Sequence, residues 1–143
     1  MKAPFTSLHA RAYCHATEVR ERVEQAVANA MGEVELVTSQ TQGHHGNEIL
    51  VIETHAKGGQ QAELLLGKLS PSDLKELIDT IDNRIDESCN LFMRIDKQKA
   101  FDGEIALTRG GDAIAVRIKV AAYPAKKEAA AARAKDFLLA RTH

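Results

Sequence analysis

Apolar and polar residues alternate strictly near the start of the chain, and this pattern predicts a half-buried β-strand over residues 5–15. The apolar side of this strand consists of Leu8, Ala10, Ala12 and Cys14. Alternation, or a short continuous apolar run, predicts further strands over residues 33–40, 48–55, 90–96, 104–108 and 113–121. Apolar residues at helical spacing predict helices over residues 17–32, 62–69, 70–85 and 124–141.

Residues with capping preferences fix the ends of two of these helices. Ser70 is a predicted N-cap, because proline follows it and Asp73 stands in the first turn. Thr17 is the predicted N-cap of the first helix, and Gly32 is its predicted end.

This order of elements indicates an α+β fold, with a mostly antiparallel mixed sheet of about six strands and helices packed on one face. The chain has 143 residues, 44% of them hydrophobic, which suffices for one domain with its own core. We therefore expect residues 1–143 to form a single domain. Within it, residues 124–141 are predicted to form a C-terminal basic helix.

The stretch from Cys89 to Gly103 combines a core strand with exposed aromatic and basic residues. Leu91, Met93 and Ile95 share the buried side of the strand, whereas Phe92 and Arg94 point to the other side. A polar run over residues 96–99 and an Asp-Gly turn at 102–103 follow, which predicts a hairpin into the next strand. An ordinary hairpin with a solvated loop and an RNA-contacting edge are both compatible with this pattern.

If the helices cover the apolar side of the sheet, the opposite side collects aromatic and cationic side chains. These are Arg11, Tyr13, Phe92, Arg94, Arg117 and Lys119. Lys97 and Lys99 would join them from the connecting loop. Aromatic rings stack on unpaired bases and cations neutralise phosphates, so we expect these eight residues to bind RNA. A solvated strand face is the alternative.

The distribution of charge agrees with a local basic surface. Residues 1–89 contain 8 Lys or Arg against 14 Asp or Glu, whereas residues 90–143 contain 11 against 6. The net charge of −1 means that any RNA site is confined to part of the surface.

Residue patterns for other chemistries are weak. The adjacent His44 and His45 lack further ligands at a suitable spacing, so no metal is expected. The two Gly-Gly pairs match neither phosphate-binding loop motif, so no cofactor is expected. Cys14 and Cys89 lie in strand contexts, where burial would raise rather than lower a thiol pKa. Neither a signal peptide nor an apolar run of membrane-spanning length is evident, which predicts a cytoplasmic protein without a membrane partner.

Three motifs resemble those of a known family. They are His45-Gly46-Asn47, the Lys97-Gln98-x-Ala100-x-x-Gly103 pattern, and the strand from Asp112 to Lys119. In order and spacing they resemble archaeal RNA-binding domain proteins known as predicted exosome subunits, over residues 5–121. The resemblance implies a fold like that of a ribosomal RNA-binding protein and no catalytic site.

We therefore expect a non-catalytic RNA-binding protein linked to RNA processing or degradation, with exosome or ribosomal components as partners. The alternative is a structural or assembly protein that uses its open sheet face or its C-terminal helix to bind proteins or form a homodimer. The salt dependence of binding distinguishes the two, because only a phosphate-binding site weakens steeply as salt rises.

Overall fold

The computed structural model describes residues 3–32, 34–42 and 48–141. The elements in chain order are β1 (Phe5–Cys14), α1 (Arg20–Met31), β2 (Val37–Gln42), β3 (Glu48–Lys57), α2 (Gln60–Gly67), α3 (Pro71–Asp79), α4 (Ile81–Arg84), β4 (Asn90–Asp96), α5 (Lys97–Phe101), β5 (Ala113–Val120) and α6 (Lys127–Arg141). Residues 43–47, which include His44, His45 and the His45-Gly46-Asn47 motif, lie outside the described residues.

The sheet has the order β2-β3-β1-β5-β4, and every neighbouring pair is antiparallel. This confirms the predicted α+β class, with five strands among the described residues where about six were expected. Residues 104–108 do not form the extra strand. They pair with β4 through an isolated bridge between Ile95 and Leu107, in which Asp96 N–H donates to the carbonyl oxygen of Ala106 and Thr108 N–H to that of Arg94. The edge of β4 is therefore available to this segment, but alternation alone does not show how far a pairing extends along it.

One face of the sheet is covered and the other is open. The even-numbered residues of β1 from Leu8 onwards, those of β5, and the odd-numbered residues of β4 are buried in a continuous core. A register shift between Phe5 and Ser7 places Phe5 in this core and leaves Thr6 exposed. Helices α1, α2 and α6 contact the strands on this covered side. The open face therefore presents the remaining side chains of β1, β3, β4 and β5 to solvent.

The predicted hairpin after β4 is instead a short helix, α5. The side chain of Asp96 accepts a hydrogen bond from the backbone N–H of Lys99 at 2.9 Å and so caps this helix. Gly103 follows with a φ of 92°, a conformation that glycine adopts without steric cost. The chain therefore turns back through a capped helical turn rather than a two-residue hairpin.

The first and third helices differ in how they begin. α1 begins after Val19 without a side-chain cap, so the prediction for Thr17 is wrong. Gly32 ends the helix as predicted, with a φ of 83°. The prediction for Ser70 is confirmed, because its Oγ accepts a hydrogen bond from the N–H of Asp73 at 3.1 Å.

Replacing Ser70 with alanine is expected to lower the free energy of unfolding by about 1 kcal/mol, because one N–H of α3 loses its acceptor. The exposed Ser72→Ala in the same turn is the matched control and should have a much smaller effect. Urea denaturation of both variants measures the difference. Equal stability of the two variants would contradict the capping role.

Candidate nucleic-acid interface

The strand register arranges side chains of the open face in rows that cross the sheet. His9 pairs with His55 on β3 and with Arg117 on β5, and Arg117 pairs with Phe92 on β4. We call these four residues the central row. Directly opposed side chains in antiparallel strands have Cβ atoms about 5 Å apart. The register therefore brings together Arg117 and Phe92, which are distant in the sequence.

Arg117 occupies the middle of the open face. Its side chain is exposed, and within the described part of the chain it forms no hydrogen bond or ion pair. Phe92 beside it is 43% exposed. An unpaired guanidinium next to a half-exposed aromatic ring can bind a phosphate and stack a base at adjacent positions.

A second row lies alongside the first and contains two arginines. It consists of Glu53, Arg11, Ala115 and Arg94, which are paired in that order across β3, β1, β5 and β4. We call it the arginine row. Nη1 of Arg11 lies 3.5 Å from the hydroxyl oxygen of Tyr13, whose side chain is 43% exposed. Arg94 donates to the carbonyl oxygens of Gly110 and Gly111 at 3.0 and 2.9 Å.

Lys119 extends the basic surface towards one end of the sheet. It pairs with Ser7 on β1 and Asn90 on β4, one position beyond the central row on the same face. Its ammonium donates to the carbonyl oxygen of Ser88. Six of the eight predicted site residues therefore share the open face: Arg11, Tyr13, Phe92, Arg94, Arg117 and Lys119.

Comparison with known proteins identifies the family of the chain. A family model described as RNA binding matches residues 7–120. The chain belongs to this RNA-binding family. The matched segment contains β2 to β5 and β1 from Ser7 onwards, and therefore every residue of the central row and the arginine row.

Similar proteins come from archaea, as the three motifs predicted. The chain is 37% identical over 142 residues to an RNA-binding protein of Pyrococcus abyssi, covering 92% of each chain. It is 34% identical to a protein of Archaeoglobus fulgidus of known crystal structure, over 92% of this chain and 98% of that chain, with a TM-score of 0.82. A protein of known structure from Methanothermobacter thermautotrophicus is 32% identical, over 94% of this chain and 98% of that chain, with a TM-score of 0.83.

The open face also contains His9, Glu53 and His55, which were not among the predicted site residues. Nε2 of His9 lies 2.7 Å from Oε2 of Glu53, and the rings of His9 and His55 have centroids 6.3 Å apart. The alternation of β1 already placed His9 on the outer side. Glu53 and His55 follow a nearly continuous apolar run. The sequence therefore does not show which face of the sheet their side chains occupy, and the register of β3 is needed to decide it.

Lys97 corrects one of the sequence-based expectations. It was expected in an exposed loop, but its side chain is only 2% exposed. Its ammonium lies 2.9 Å from Oε2 of Glu18 and 2.5 Å from Oδ1 of Asp112, and it donates to the carbonyl oxygen of Tyr13 at 2.9 Å. A buried ammonium held by two carboxylates is not available to a phosphate, so Lys97 has a structural position.

Lys99 is exposed, but it lies away from the open face. Its ammonium is 3.7 Å from a carboxylate oxygen of Glu104. It lines a surface depression with Lys68 and Ser70, which belong to the helical side of the fold. The structure therefore does not bring Lys99 together with Arg117.

The carboxylates that hold Lys97 also form the one possible metal-ligand group within the described segments. Ligand atoms of His15, Glu18 and Asp112 lie within 4.8 Å of one another. Burial raises the pKa of Asp112, but the hydrogen bond and positive charge of Lys97 outweigh it and hold this pKa below its usual value. Lys97 thus already supplies the positive charge that a metal would bring.

The remaining sequence features concern the cysteines and membrane insertion. Burial, together with the negative charge of Glu18, raises the pKa of the Cys14 thiol, which disfavours a nucleophilic role.

Across the described residues, no helix has the length and apolar character needed to span a bilayer.

Proposed function

We propose that the chain binds RNA on the open face of its sheet, with the central row and the arginine row as the contact surface. The observation that supports this most directly is Arg117. Among the described residues this cation lies unpaired between His9 and Phe92, in a protein whose family is described as RNA-binding. Its guanidinium offers planar donors that match a phosphate group.

The neighbouring residues are assigned roles by their chemistry. Phe92 is the proposed stacking platform, and Tyr13 is a second one at the opposite side of the arginine row. Arg11, Arg94 and Lys119 would extend the basic track, although each also contacts a backbone carbonyl or a hydroxyl of the protein. Contacts of this type orient the side chains and leave further N–H groups for phosphates.

The proposed role is non-catalytic binding in the cytoplasm. The resemblance to predicted exosome subunits supports a link to RNA processing or degradation. The resemblance to a ribosomal RNA-binding protein supports the ribosome as the other setting. In both cases the open face would hold RNA while other components carry out the chemistry.

Replacing Arg117 with alanine is expected to weaken RNA binding several-fold and to reduce its salt dependence. Because one phosphate contact is lost, the slope of log K against log salt should fall by about 0.7 for a single strand. Fluorescence anisotropy with a single-stranded RNA pool at several salt concentrations measures both quantities.

The matched control is Lys135→Ala, which removes an exposed cation from α6. Unchanged affinity and slope in Arg117→Ala would contradict binding at the open face. A loss confined to Lys135→Ala would instead favour the C-terminal basic helix. Association of the protein with itself that is insensitive to salt, without RNA binding, would favour the assembly function.

A further inference from the structure

Ala115 creates a gap in the arginine row. It is exposed on β5, and its register partners are Arg11 on β1 and Arg94 on β4. Neighbouring strands lie about 4.8 Å apart, so the backbones that carry the two arginines are roughly 10 Å apart across Ala115. The register thus places a methyl group between two residues with long cationic side chains, and we call the position above Ala115 the depression.

The remaining sides of this depression are also defined. Arg117, two residues along β5, stands at one end, and Phe92 lies diagonally opposite because it pairs with Arg117. At the other end Ala113 is buried, and Arg94 holds the adjoining loop through the carbonyl oxygens of Gly110 and Gly111. The register positions around the depression therefore hold three arginines and an aromatic ring, and Arg94 is hydrogen-bonded to the adjoining loop.

We propose that this depression is a subsite for one unpaired nucleotide, and that it makes the open face selective for single-stranded RNA. This inference rests on the proposed RNA binding. One base would lie over Ala115 between Arg11 and Arg94, where a guanidinium can stack on its face. The adjoining phosphate would meet Arg117, and the next base would stack on Phe92.

The arrangement disfavours a double helix for a geometric reason. In a duplex the bases are paired and stacked inside, so no base can enter a depression in a sheet surface. A duplex would contact the open face only through its phosphates, and no base would lie above Ala115. Filling that position should therefore affect single strands far more than duplexes.

The test is to fill the depression without changing its charge. Ala115→Leu should weaken binding of a short single-stranded RNA pool by about tenfold, the loss expected when one stacked base is displaced. Ala115→Ser, which keeps the small size, should stay within about twofold of the original affinity, as should Ala132→Leu on the exposed side of α6. Binding of an annealed duplex of the same sequences should change little in all three.

Thermal unfolding shows whether each variant is folded, and Ala115→Val provides a second filling variant that a strand tolerates well. If both filling variants bind single strands normally while Arg117→Ala does not, the subsite is wrong and the open face remains the binding site. If Arg117→Ala also binds normally, the proposed function fails as well. An equal loss for single strands and duplexes would overturn the selectivity.

Discussion

Replacing Lys97 with alanine is expected to destabilise the fold by about 3 kcal/mol. This is the low end of the range for a broken buried ion pair, because one of its two carboxylate partners, Asp112, is half-exposed. The ammonium joins three segments: Tyr13 at the end of β1, Glu18 before α1, and Asp112 before β5. Its removal leaves two neighbouring carboxylates without their shared counter-charge and also deletes a buried aliphatic stem.

The matched control is Lys99→Ala, two residues away in the same helix. Its ion pair is exposed, so its loss should cost less than about 0.5 kcal/mol. Urea denaturation compares the two variants, and Lys97→Met separates the charge from the packing of the stem. Equal stability of Lys97→Ala and Lys99→Ala would contradict the structural role of Lys97. If the Lys97→Ala protein were folded and bound RNA more weakly, the result would support an RNA-binding role for Lys97.

Replacing Phe92 with alanine is expected to weaken binding of single-stranded RNA by about 2 kcal/mol, roughly thirtyfold, which is typical of losing a stacked base. The ring is half-exposed on the edge strand β4, so its removal should disturb the core little. Phe92→Tyr keeps a stacking surface and should retain most of the affinity.

Tyr123→Ala is the matched control for nonspecific aromatic contacts, because this side chain is 98% exposed in the segment after β5. Anisotropy titrations at constant salt compare the three variants. The stacking role would be wrong if Phe92→Ala bound like the original protein, or if Phe92→Tyr lost as much affinity as Phe92→Ala. The salt slope should be unchanged in Phe92→Ala, because the ring carries no charge.

The strands and helices that could be predicted are those in which local pattern and burial agree. The alternation of β1 from Ser7 to Cys14 and of β4 throughout is complete, so both strands were predicted together with their buried sides. The start of α3 was predicted because Ser70, proline and Asp73 each act within one helical turn. The absence of a full strand at residues 104–108 could not be predicted, because alternation does not show that the pairing with β4 stops after a single bridge.

For the candidate site, too, features set by neighbouring residues could be predicted, whereas features set by contacts between distant segments could not. The six residues on the open face follow from strand alternation, but the central row follows from a register that joins four separate strands. Lys97 could have been assigned to the interior, because it continues the odd-numbered buried side of Leu91, Met93 and Ile95. Its acidic partners come from other segments, so the sequence did not show that a buried lysine would be neutralised there.

The position of β1 in the sheet affects how the protein folds during synthesis. β1 is translated first, yet it lies in the middle and pairs with both β3 and β5. Pairing between segments that are far apart in the chain is slow, and an unpaired strand edge can associate with other chains. Until β5 emerges from the ribosome, the nascent chain therefore carries a long unpaired edge on its central strand. The timing of translation through β4 and β5 determines how long that edge is open to aggregation.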